Sequence, residues 1–491
     1  MRQSVVIGAG AAGLAAATTL ARAGDRVVLL EKNAVPGGRA AVWRQDGFTF
    51  DMGPSFYWMP DVFERYFARF GHRVEELLDL RRLDPSYGVV FGPGDVWRLP
   101  AGIGAVAELF EREEPGAATA LHRFLREAAI KYELGMDDLV YRPGLSWMEY
   151  ARPRVLRELL RVSALSSLRK HVQAHFTSPR IRQVMEFPAL FLGARAQDTP
   201  ALYSLMNHAD IALGTWYPMG GMGKLIDAMV KVATQEGVEI RTGEEAVGIV
   251  VEHGCVTGVD TLSGRVTADA VVAAADYAHV EKHLLTPEHR TYSAGYWDSR
   301  VMAPSTLLFY LGVQGRIDGL DHHTLFFDAD MDAHGEDIYV HKRWPRTPLF
   351  YVGRPSRTDP SVAPEGHENL MVLIPIASGS EDNGTVREHY FSLVMDRMER
   401  HLGMALRDRI VLKRSYGVSD LVADHHAWGG NAYGLANTLR QTGPGRPSIK
   451  SRKVRGLYYA GQLTVPGPGL PPAVISGQVA ADLALTERRR R

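Results

Sequence analysis

Residues 5–13 read Val5-Val6-Ile7-Gly8-Ala9-Gly10-Ala11-Ala12-Gly13 and lead into an alanine-rich helix, which gives way to Val27-Val28-Leu29-Leu30-Glu31. A short apolar strand, a glycine turn, a helix and a second strand make the βαβ unit that binds dinucleotides. Gly8 makes the tight turn, Gly10 lets backbone approach a pyrophosphate, and Gly13 lets helix and strand pack closely. The helix start then offers unpaired N–H groups and a positive dipole end to phosphate. Glu31, 18 residues past Gly13 at the tip of the second strand, is placed to accept hydrogen bonds from ribose hydroxyls.

The residues that follow select a longer cofactor than a nicotinamide dinucleotide. After Glu31 and Lys32 comes Pro36-Gly37-Gly38-Arg39, then Asp51-Met52-Gly53-Pro54. A second glycine pair permits another close backbone approach, and Arg39 supplies a planar fork of donors for phosphate oxygens. At the far end, Gly456-Leu457-Tyr458-Tyr459-Ala460-Gly461 reads as a buried strand closing on a glycine. It is followed by Pro466-Gly467-Pro468-Gly469-Leu470-Pro471-Pro472 and an alanine-rich helix from Ala473 to Leu485. Such a loop suits backbone held against a flat ligand, and the helix dipole stabilises negative charge on a reduced flavin. Together these pieces predict FAD.

The whole pattern resembles the bacterial carotenoid desaturases, with the phytoene desaturases as best-known members, within the FAD amine-oxidase-like superfamily. The matching motifs span the chain: GAGAAGLAAA, LLEKNAVPGGRA, GFTFDMGPS, YPMGGMGKLIDAMVKVATQEGVEI, ADAVVAAADYAHVEK, GNAYGL and GLYYAGQLTVPGPGLPPAVISG. Relatives commonly carry His-Pro-Gly where this chain has Val465-Pro466-Gly467, which leaves the branch and substrate open. The resemblance implies that Lys32, Gly53 and Pro54 join the cofactor site, that the backbone at Val247 contacts the adenine, and that Gly469 and Leu470 lie beside the flavin ring. It also implies an acyclic polyene substrate, phytoene or a close relative.

Charge and composition narrow the remainder. Lys plus Arg and Asp plus Glu both number 56, so net charge makes no case for nucleic acid. The single Cys255 excludes an internal disulfide or a two-cysteine redox relay. No spacing of histidines or acids, His425 and His426 included, demands a metal. Residues 4–21 are nearly all small or apolar, yet their glycines keep fingerprint spacing, so they read as core rather than as a leader.

At 491 residues the chain exceeds one core. The expected class is α/β: a discontinuous Rossmann-like FAD domain, an α+β substrate domain and a helical membrane-docking subdomain. FAD segments are expected at 1–75, 215–290 and 446–491, the helical subdomain at 76–214 and the substrate domain at 291–445. Residues 152–170 carry leucines near helical spacing with arginines opposite, which fits either a basic membrane-surface helix or a core-packed helix with a solvated face. Substrate solubility favours the membrane. Moving roughly forty apolar carbons out of water is worth about 30 kcal/mol, beyond the roughly 18–21 kcal/mol ceiling on non-covalent affinity. The expected location is therefore cytoplasmic, peripheral on the inner face of the cell membrane.

By family position, Glu149 and Arg152 are candidate catalytic residues, as a base or cation-stabilising carboxylate with its partner; an ordinary i,i+3 ion pair is the alternative. No second glycine fingerprint serves a nicotinamide, so oxygen or a membrane quinone reoxidises the flavin. An amine oxidase and a prenyl-chain escort protein on the same fold are the competing readings.

Overall fold

The structure is a computed structural model; it describes the chain except residues 1, 152, 154–156, 158–165, 189–192 and 490–491. The opening strand Gln3–Ile7 pairs in parallel with Arg26–Glu31 on one side and Ala270–Ala273 on the other. Glu239–Thr242 and Leu457–Tyr459 complete a five-stranded sheet, in the order 457–459, 270–273, 3–7, 26–31, 239–242. Central strands of a parallel sheet are covered on both faces, so they read as unbroken apolar runs rather than alternating ones. Val5, Val28 and Val271 share one register line and are fully buried. The sheet is thus built from an early, a middle and a late segment.

Two long-range helix contacts hold it. The opening helix Ala11–Arg22 packs against the closing helix Leu470–Arg489 and against Gly223–Gln235. At the first contact Gly477 lies on the backbone of Ala12; a Cβ there would sit 2.0 Å from the Ala12 carbonyl oxygen. No larger residue fits without separating the helices.

The second sheet has seven strands, in the order Ile410–Tyr416, Ser305–Gln314, His367–Ile376, Phe350–Gly353, His323–Phe326, Tyr87–Gly92, Asp95–Leu99. Period two divides the buried strand Ser305–Gln314 between two jobs. Leu307, Phe309, Leu311 and Val313 pack with the helix Gly384–Leu402, whereas Thr306 and Leu308 face a cleft. The last two strands lie within the stretch 76–214, which is otherwise largely helical. Tyr87-Gly88-Val89-Val90-Phe91 is a β-branched and aromatic run bounded by Pro85 and Gly94, a strand signature. It pairs in parallel with His323–Phe326 and so belongs to the substrate-side sheet.

Helices Ile103–Glu113, Ala117–Leu134, Leu168–Gln173 and Pro179–Glu186 make up much of the intervening stretch. Most of the basic segment 152–170 lies outside the described residues. At its described end Leu168 is buried, and Arg169 pairs with Glu186 and Asp332. Among the described residues, no helix is long and apolar enough to cross a membrane.

The glycine contact makes a direct prediction. Gly477→Ala is expected to destabilise the fold by about 1–3 kcal/mol through overpacking. Gly104→Ala, in a helix where a Cβ meets nothing within 4 Å, is expected to be neutral or to stabilise by about 0.5–1 kcal/mol. Urea unfolding of both variants checks the pair.

Candidate active site

The site begins at the first turn. Gly8 adopts φ +98° and donates its N–H to the Leu30 carbonyl at 2.7 Å, tying the turn to the second strand. A Cβ on Gly13 would lie 1.8 Å from the Gly8 carbonyl oxygen, so helix and strand meet backbone to backbone there. No side chain caps the helix at Gly10, which leaves its first N–H groups facing a cleft that Ala11 and Ala12 also line. Glu31 is only 5% exposed. Its Oε2 accepts from the Ala9 N–H at 2.8 Å, and its Oε1 from the N–H and side-chain amide of Asn33 at 2.9 and 3.0 Å. The carboxylate therefore shapes the glycine turn as well as lining the cleft. Lys32 lines it too and donates to the Ala423 carbonyl at 2.6 Å.

The second glycine pair joins the first. The Gly37 N–H donates to the Ala9 carbonyl at 2.9 Å, and Gly37 and Gly38 adopt φ +129° and +53°. Arg39 donates to the Asn431 carbonyl at 3.2 Å and stands 3.8 Å from Asp276; burial pushes its guanidinium pKa down. Gly53 must be glycine beside it, because a Cβ would come 2.4 Å from the Arg39 carbonyl oxygen. Gly53 and Pro54 continue the wall, and Gly461, Gly469 and Leu470 close it from the opposite end of the chain. Gly461 adopts φ +110°, with no protein atom within 4 Å of a would-be Cβ. Its N–H donates to Ser476 in the closing helix at 3.0 Å.

These segments enclose one continuous cleft of about 410 Å³. One end is glycine backbone and charged side chains; the other is formed by Phe56, Trp58, Phe187, Leu308, Phe327 and Leu373. The family model for flavin containing amine oxidoreductases matches residues 11–485. The carotenoid 3,4-desaturase of Haloarcula japonica is 41% identical over 98% of this chain and 98% of its own. The zeta-carotene-forming phytoene desaturase of Myxococcus xanthus is 34% identical over 99% of this chain and 94% of its own. This chain belongs to the carotenoid desaturases of the flavin containing amine oxidoreductase family. An oxidoreductase structure from Methanosarcina mazei, 18% identical, superposes with a TM-score of 0.65 over 99% of this chain and 100% of its own, which shows the shared fold.

The cofactor of the family is FAD, and the cleft of this desaturase fits it. The uncapped helix start, the bare Cα atoms at Gly10 and Gly461 and the half-buried Arg39 guanidinium leave donors and space where a dinucleotide needs them. Neither Val247 nor Glu149 has its side chain on the cleft wall. The backbone at Val247, expected against the adenine, directly follows Glu244, Glu245 and Ala246, which line the cleft, while Val247 itself is 45% exposed. Successive strand residues face opposite sides, so a shift of one position reverses the face. Glu149 is also off the cleft wall. Its carboxylate accepts the N–H groups of Gly144, Leu145 and Ser146 at 3.0, 2.9 and 3.2 Å, which holds its own tight turn together. Each oxygen keeps a further lone pair beyond these bonds. Arg152 lies outside the described residues.

Sequence reasoning missed Asp276 as an organiser. Its Oδ1 caps the turn at Ala278 and His279, while its Oδ2 accepts from Trp428 and Asn431 beside Arg39. Its place at the end of a buried strand was the available signal. His426 pairs with Glu245 at 2.7 Å and stacks on His279 at 4.1 Å, forming the rim near Lys32.

Glu31→Ala strips the acceptor from the Ala9 and Asn33 N–H groups and from the ribose position. Leaving buried donors unpaired costs about 1–3 kcal/mol, so FAD affinity is expected to fall roughly 10- to 100-fold. Flavin fluorescence titration of the apoprotein measures it, with wild-type affinity as the contrary result.

Proposed function

We propose that this chain is an FAD-dependent desaturase that introduces conjugated double bonds into an acyclic carotenoid, phytoene or a close relative. One observation carries the reading: the cleft passes without a break from the glycine cradle to an aromatic and aliphatic chamber. Bound FAD supplies the two-electron acceptor, so that a hydride leaves one saturated carbon and a proton the next. The protein's own task is to align and to exclude. Leu308, Leu325, Phe327 and Leu373 present one face of the seven-stranded sheet to the chain, and Phe56, Trp58 and Phe187 close on it from other elements. Such a wall dehydrates the allylic carbons and offers no partner to a competing nucleophile.

An amine oxidase needs a polar cage near the flavin for an ammonium group. Among the described residues the apolar end carries no carboxylate in its wall, which favours the polyene. The closely similar curated relatives are named for carotenoid desaturation, which supports the same reading.

The substrate resides in lipid, because no protein site competes with a bilayer for so large an apolar surface. The enzyme accordingly works as a peripheral protein on the inner face of the cell membrane. Oxygen or a membrane quinone takes the electrons from the reduced cofactor.

Under anaerobic conditions, vesicles loaded with phytoene or a more desaturated acyclic carotenoid are expected to bleach the bound flavin within one turnover, with a red-shifted polyene as product. Bleaching by a small amine instead would reverse the assignment. Glu149→Gln is expected to keep turnover per bound flavin within about twofold of wild type while weakening its turn by about 1 kcal/mol. A large loss of turnover at full flavin occupancy would assign Glu149 to catalysis.

A further inference from the structure

Among the polar groups of the largely apolar wall, Tyr351 is backed by a buried histidine, His323. Tyr351 lines the cleft from the strand Phe350–Gly353, and its cross-strand neighbours Leu325 and Leu373 are both leucine. Its hydroxyl lies 2.7 Å from Nδ1 of His323 and also hydrogen-bonds Ser55, the residue after Pro54 in the cofactor wall. His323 is 1% exposed, Phe56 lies flat against it at 4.0 Å, and its Nε2 finds no hydrogen-bond partner. Behind the pair sits a second cavity of about 20 Å³, room for about one water, lined by Asp51, His322, His323, Tyr217 and Asn369. Asp51 accepts the N–H groups of Met222 and Gly223 at 2.8 and 2.9 Å, and burial pushes its carboxyl up to about 6. A neighbour pattern of leucines would fold as well or better here, because burying polar groups costs free energy unless every partner is present. The pair therefore calls for a chemical reason.

We propose that Tyr351 and His323 carry away the proton released as the double bond forms, from the cleft into the polar chamber lined by Asp51. The inference rests on the desaturase reading. When the hydride has left one carbon for the flavin, which is reduced by two electrons, positive charge remains on the substrate. The neighbouring C–H bond then breaks: its electron pair becomes the new π bond and its proton goes to the Tyr351 oxygen. The proton already on that oxygen crosses to Nδ1 of His323, so the phenol is restored. From the imidazole it passes through the chamber to the Asp51 carboxylate. A carbon acid beside a cation needs only a weak acceptor, which a neutral phenol backed by an imidazole provides. Tyr351 is the catalytic residue of the pair; His323 acts through it.

The test compares wild type, Tyr351→Phe and His323→Gln as flavin-bound enzymes, mixed anaerobically with phytoene in phosphatidylcholine vesicles. In Tyr351→Phe, single-turnover product formation is expected to fall about 10²- to 10⁴-fold, with FAD content and carotenoid affinity unchanged. Heavy water is expected to slow wild type and not this variant. Independently of turnover, ¹⁵N NMR of the histidine-labelled apoprotein is expected to show the His323 Nδ1 resonance shift in Tyr351→Phe. Should that variant lose flavin, His323→Gln decides, since it leaves the phenol in place: a fall of about tenfold or more supports the relay. Wild-type rates in either flavin-bound variant, beside an active wild type, overturn the relay and leave the desaturase reading standing. A wild-type enzyme that fails to bleach with every acyclic carotenoid removes that reading first.

Discussion

Backbone-to-backbone contact at glycine is the constraint on which this molecule rests. Gly13 lies on the carbonyl of Gly8, and Gly477 on the carbonyl of Ala12, each too close for a Cβ. The first contact seats the opening helix on the sheet. The second seats the closing helix on the opening one. Together they bring Gly8 and Gly10 to the same cleft as Gly461 and Gly469, although more than 400 residues separate them in the chain. A parallel sheet whose strands come from three distant stretches has no local turn to set its register, so helix packing supplies it.

The cofactor cradle shows how acids and glycines divide the work. Glu31 grips Ala9 and Asn33, the Gly37 N–H grips Ala9 from the other side, and Asp276 gathers Arg39, Asn431 and the turn at Ala278. Charges around the cleft are thus held by backbone partners before any ligand arrives. Such preorganisation keeps the ordering cost of binding low. The substrate end follows the opposite rule. There the fold contributes shape and dryness, and the single strand Ser305–Gln314 serves the core with one face and the cleft with the other.

Much of the cofactor half was legible in the sequence, because its signals are local. Spacing placed Gly8, Gly10, Gly13, Glu31, Gly38, Arg39 and Gly461, and all but Gly13 line the cleft. What spacing left out has physical causes as well. The Val247 side chain is exposed beside the cleft-lining Ala246, because a strand reverses face at every residue. Tyr87–Gly92 was hidden among helices, since its partner His323–Phe326 lies more than 230 residues away. Spacing also gave no sign that the Glu149 carboxylate accepts three N–H groups of its own turn.

By itself, then, the sequence determined the dinucleotide unit, the flavin-length cofactor and the split of the FAD-binding segments along the chain. Each depends on residue type at short spacing, where steric and hydrogen-bond rules act directly. The tertiary structure alone decided which side chains share the substrate wall, that Tyr351 meets His323 there, and that Asp51 stands behind them. Those neighbours come from strands and loops far apart in the chain, and no local rule of spacing encodes which faces meet when two sheets close over one cleft.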